Sequence, residues 1–156
     1  MISLATGLAV HEGRVLLVAS RYPNHADPLW NLPGGRQQRG ELLKETVVRE
    51  VFEETGLRVE VGELAYVSES YDGAIHFLNV TFNVMLQQAR HDTGRHDARS
   101  DHVVTLEWVP IEELAERIVV RVVREPLLGY LRGALPGRYA GYHDAGITIE
   151  WPADSQ

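Results

Sequence analysis

A mixed α/β sandwich is the fold this sequence predicts. Three observations carry the prediction: strand-like segments precede one strongly helical stretch, more strands follow it, and helices come near the chain end. Residues 4–10 and 14–19 read as two strands around the turn His11-Glu12-Gly13. A polar loop follows at residues 20–28, and Trp30-Asn31-Leu32-Pro33-Gly34-Gly35 leads into the helical stretch at 41–55. There Leu43, Val47 and Val51 recur at i, i+4 and i+8. Val48 and Phe52 widen the apolar stripe, and Gly56 sits where a glycine ends a helix. Residues 57–67 and 74–86 read as strands. In the second, Phe77, Asn79, Thr81 and Asn83 share one face and His76, Leu78, Val80, Phe82 and Val84 the other. A polar loop with His91, Asp92, Gly94 and His96 precedes a strand at 103–109 and an acidic helix start at 111–114. Pro126 marks a further helix start, since proline suits the first turn, and residues 146–151 read as a late strand.

Composition narrows the function. The 156 residues suit one domain, residues 1–156, large enough to bury a core without staples. With no cysteine, disulfides, thiolate metal sites and thiol nucleophiles are excluded. Neither a signal peptide nor an apolar run of about 20 residues is present, so a cytoplasmic protein without membrane contact is expected. Fifteen basic against 22 acidic side chains give a net charge of −7, which opposes binding to nucleic acid. A small anionic ligand remains compatible if a cation screens it.

Chemistry concentrates in residues 35–57. At about 100° per residue, Glu54 lies near +40° from Glu50 and Glu53 near −60°, so three carboxylates crowd an arc of about 100°. Like charges at these spacings weaken a helix, and Arg49, four residues before Glu53, relieves only part of that. On their own the glutamates also suit a solvated helix face. Beside the Pro33-Gly34-Gly35 loop, where glycine lets backbone approach an ion or phosphate, they suit a hard cation and phosphoryl chemistry.

Gly35, five residues, Glu41, seven residues, then Arg49-Glu50-Val51-x-Glu53-Glu54-x-Gly56-Leu57 resembles the signature box of the Nudix hydrolases, the MutT-like family, at every defined position. The resemblance implies an α/β/α sandwich with a mixed sheet and a catalytic loop-helix-loop. It implies Mg²⁺- or Mn²⁺-dependent attack of water on a nucleoside diphosphate linked to another moiety: a nucleoside triphosphate, a dinucleoside polyphosphate or a nucleotide sugar. By position, Glu50, Glu53, Glu54 and the carbonyl of Gly34 would hold metal. Arg49 would orient a glutamate, and Glu41 would brace the loop. The base would be Glu50 or an acidic residue of a later loop, here Asp101, with His102 second. Relatives often carry glutamate at that place.

Substrate contacts are expected from Arg21, Trp30, Phe77 and Asn79. Trp30, like Tyr22, either stacks on a base or packs at the sheet edge. The Phe77 and Asn79 face either lines the cleft or is simply the wet face of a sheet. Arg21, Arg36 and Arg39 lie near the glycine loop and either meet phosphates or are solvated. No proline falls between Leu57 and Val109, against the mark of some ADP-ribose specialists, while Tyr71 falls near the tyrosine of others. Two alternatives stand beside this: a non-catalytic nucleotide sensor, and removal of diphosphate from RNA 5′ ends. A homodimer exchanging a strand from residues 138–151 is also an expectation.

Overall fold

The computed structural model describes residues 1–87 and 102–150. The chain runs β1 (Ile2–Leu8), β2 (Val10–His11), β3 (Arg14–Ser20), β4 (Leu29–Asn31), β5 (Gly34–Arg36), α1 (Leu43–Thr55), β6 (Val59–Tyr71), β7 (His76–Leu86), β8 (Val103–Pro110), α2 (Leu114–Arg117), α3 (Arg121–Leu131) and β9 (Tyr139–Tyr142). One mixed sheet has the order β5-β1-β7-β6-β9, with β1 parallel to β7 and β9 parallel to β6. In the second sheet β8 lies antiparallel along β3, and β2 and β4 pair with the two ends of β3.

Two cores cover the two faces of these sheets. Ala5, Leu16, Val80, Phe82 and Val84 bury against Val47 and Val51 of α1. Leu8, Val15, Leu17, Tyr66 and Val109 bury with Leu114, Ile118 and Leu127 of the C-terminal helical region. Residues of opposite parity on β3 thus enter opposite cores, which gives three α/β/α layers, as expected. The alternation in β7 also holds: Val80, Phe82 and Val84 face α1, while Thr81 joins the polar groups of the other side.

Four expectations need correction. Helix α1 starts at Leu43, so Glu41 lies in the loop before it. Glu45 Oε1 accepts the Leu42 N–H at 2.8 Å, and Gly56, at φ 75°, ends the helix as foreseen. The apolar stripe is narrower than read, because Val48 is 42% exposed and Phe52 lies under the Arg58 guanidinium. On the wheel both residues are about 160–200° from Glu50, past the arc that Val47 and Val51 press on the sheet.

The last helix begins at Arg121 and contains Pro126 in its interior. The Val120 carbonyl accepts from Val123 and Arg124 at its start, and burial of Pro126 and Leu127 outweighs the missing N–H. Residues 146–150 form no strand. Side chains of Asn24 and His25 hold their backbone instead, and the late strand is β9, paired with this chain's own β6. Trp151, His91, Asp92, Gly94, His96 and Asp101 lie outside the described residues.

Candidate functional site

The loop and the first half of α1 are built around one guanidinium. Arg49 donates Nε to Glu41 Oε2 at 2.6 Å and one Nη to Glu41 Oε1 at 3.0 Å, a bidentate pair. Its other N–H groups reach Glu50 Oε1 (2.9 Å), Glu53 Oε2 (3.2 Å) and the Arg36 carbonyl (3.0 Å). Glu41 also accepts from the Gln38 N–H and the Thr46 hydroxyl, so it ties loop to helix as a brace. These bonds hold the Glu41 carboxyl down at about 2 and push Arg49 up.

Glu54 goes inward. At about +40° on the wheel it stands beside Val47, and it is only 4% exposed. The Gly34 N–H donates to its Oε1 at 2.8 Å, and His102 Nε2 stands 3.8 Å from its Oε2. Burial and the Glu50 and Glu53 charges raise its pKa well above the usual carboxylate range; burial, opposed by Arg49, raises that of Glu50. The Tyr22 hydroxyl, buried and facing the Glu54 charge, is pushed up to about 12.

Both glycines of this loop meet close neighbours, backbone at Gly34 and a side-chain end at Gly35. A Cβ on Gly34 would stand 2.3 Å from the Ala5 carbonyl oxygen, and one on Gly35 2.6 Å from the Glu50 carboxylate. What the structure shows of Gly34 is its N–H on Glu54; its carbonyl role rests on the resemblance alone. Among the described residues, no group of three His, Cys, Asp or Glu side chains stands ready-made around a metal position. The donor set nonetheless suits a hard cation, since Glu41, Glu50 and Glu53 share one guanidinium and the interior Glu54 beside them has none of its own among the described residues.

A cavity of about 480 Å³ adjoins this cluster through Thr6, which lines it and pairs in register with Gly34, the partner of Glu54. Of the residues expected to touch substrate, Trp30, Phe77 and Asn79 line the cavity; Arg21 does not, being exposed with its N–H on the His102 carbonyl. Trp30 packs against the core as well, with Arg117 over its ring at 5.1 Å, so the expectation of packing holds. Tyr71 is 42% exposed, against the His76 ring, and does not line the cavity.

The floor is a polar network that the sequence reading missed apart from Asn79 and Thr81. The Thr6 and Thr81 hydroxyls are 2.7 Å apart, Asn79 donates to Thr81 at 3.0 Å, and its amide nitrogen is 3.4 Å from the Ser68 hydroxyl. Alternation of Leu4, Thr6 and Leu8 in β1 was the signal for Thr6. The wall formed by residues 144–149 carried no sequence signal.

Comparison with known proteins agrees with this geometry. A MutT-like protein of Streptomyces ambofaciens is 34% identical over 132 residues, 83% of this chain and 77% of its own. Mouse nucleoside diphosphate-linked moiety X motif 6 is 32% identical over 80% of this chain, which spans only 40% of that relative's length. In fold, the chain is similar to a NUDIX hydrolase from Nitrosomonas europaea, with a TM-score of 0.72, 21% identity and coverage of 88% and 91% of the two chains. With the NUDIX domain model matching residues 1–128 as well, the chain belongs to the Nudix hydrolase family.

Proposed function

We propose that the chain hydrolyses a nucleoside diphosphate linked to another moiety, with Mg²⁺ or Mn²⁺ held by Glu50, Glu53, Glu54 and the Gly34 carbonyl. The observation that supports this most is the interior carboxylate of Glu54 beside Glu50 and Glu53, with one guanidinium among them. Negative charge in a low-dielectric place is costly without a counter-ion, and a divalent cation is the counter-ion such oxygens select. When bound, that ion supplies a water of lowered pKa and screens phosphate oxygens.

The protein's own part is positioning. Arg49 fixes the Glu50 and Glu53 carboxylates against the loop, and the Gly34 N–H fixes Glu54. Glu50, Asp101 and His102 are the candidates to take the proton of the attacking water. Arg21 is assigned to substrate phosphate, and Trp30, Phe77 and Asn79 to the remainder of the substrate in the cavity. The substrate classes are nucleoside triphosphates, dinucleoside polyphosphates and nucleotide sugars. A cytoplasmic homodimer belongs to the same proposal, and sedimentation tests the dimer.

The test is a turnover panel over those classes with Mg²⁺ or Mn²⁺, resolving products by chromatography, with Glu53→Gln as control. A preferred substrate whose turnover falls by about a hundredfold or more in the variant is the expected result. Nucleotide binding without turnover across the panel would overturn it in favour of a sensor.

A further inference from the structure

Residues 144–149 form one continuous wall of the cavity, and they lie beyond the 1–128 stretch that matches the family model. This wall is tied down from the far side of the chain. Asn24 donates to the Thr148 carbonyl at 2.7 Å and accepts from the Glu150 N–H at 2.9 Å. His25 Nε2 donates to the same carbonyl at 2.7 Å, and Arg121 donates to the Asp144 carbonyl at 2.8 Å. Ile147 and Ile149 pack against Tyr22, Leu29 and Val120, which gives the wall an apolar inner lining.

The rest of the cavity says what it can hold. Phe77 and Trp30 bring aromatic rings to its lining, and Asn79, Thr6 and Ser68 bring polar groups. Its charged members are all acidic, Glu69, Asp72 and Asp144; among the described residues lining it there is no Lys, Arg or His. Such a space repels phosphate and favours an uncharged ring bearing N–H donors. The carboxylate cluster, where a cation would screen phosphate, adjoins it through Thr6, which lines the cavity and pairs in register with Gly34, whose N–H donates to Glu54.

We propose that residues 144–149 are a specificity-determining wall that closes on the nucleobase end of the substrate, with Asn24 and His25 as positioning residues that set its place. This rests on the hydrolase reading above for the identity of the substrate.

The test is an NMR titration of labelled protein without metal. Adenosine, guanosine, cytidine and uridine are added one at a time, and inorganic pyrophosphate in a separate arm. At least one nucleoside should shift the amide signals of residues 144–149 and the Asn79 side-chain amide, and pyrophosphate should not. In Asn24→Ala, losing two hydrogen bonds should weaken the best nucleoside about five- to tenfold and narrow the spread among the four. Ile147→Ala, which keeps the Asn24 bonds, should also narrow it.

Nucleosides that leave residues 144–149 unshifted would overturn the proposal. So would pyrophosphate shifting them, or both variants keeping the parent's affinities. Neither metal nor turnover enters the titration, so bound nucleoside with a silent hydrolysis panel would sink the hydrolase reading alone. Active hydrolysis with an unresponsive wall would sink only this proposal.

Discussion

Arg49 makes five hydrogen bonds to oxygen, four of them to three glutamates that differ in what they do. Glu41 serves structure. Its pKa is lowered from 4.5 to about 2, so its bonds contribute in full above about pH 4.5 and are lost as pH falls through about 2. Glu41→Gln should therefore cost about 2 kcal/mol near neutrality, and the gap to wild type should close across that window in urea melts. Glu54 is the opposite case, a buried carboxylate beside two others. In chelator, Glu54→Gln should melt a few degrees higher than wild type, since its amide oxygen still accepts from Gly34 and the repulsion is gone. A lower melting temperature would show that the charge is already compensated. The box itself was legible because its spacing is rigid. That Glu54 turns inward was not, because a wheel places residues around an axis without saying which flank meets the sheet.

At the scale of elements, the short strand β5 carries the loop to the helix, and both its glycines are pressed by neighbours. Gly34→Ala puts a methyl into the Ala5 carbonyl and should cost about 3 kcal/mol or more by calorimetry, since backbone must move. Gly35→Ala meets the Glu50 carboxylate, a side-chain end that can swing away. It should lose less stability than Gly34→Ala and lower kcat more than it raises KM. The sequence disclosed α1 well, through its period and Gly56, and misplaced α3 because proline's taste for first turns yielded to packing of Pro126. A strand was looked for at residues 146–150, where Ile alternates with polar residues. Pairing there was pre-empted by the side chains of Asn24 and His25, contacts more than 120 residues distant.

For the whole molecule, a net charge of −7 and a cavity without basic side chains among its described residues set how salt acts. Raising monovalent salt from about 20 to about 200 mM at fixed free Mg²⁺ should leave kcat/KM for a small nucleotide within about threefold, because screening weakens repulsion as well as attraction. A fall of about a hundredfold or more would belong to a polyanion binder and would favour RNA 5′ ends as substrate. The mixed α/β class could be read from the order of strand-like and helical segments, and the α/β/α layers from the resemblance carried by residues 35–57. The parallel pairing of β1 with β7 could not, since no local pattern encodes which distant strand lies alongside. That distance also has a meaning in time. The carboxylate helix emerges from the ribosome early and needs only sheet residues up to the end of β7, whereas Asn24 must wait for Thr148. A nascent chain stalled before residue 144 would already own its reactive cluster while still lacking the enclosure that chooses among ligands.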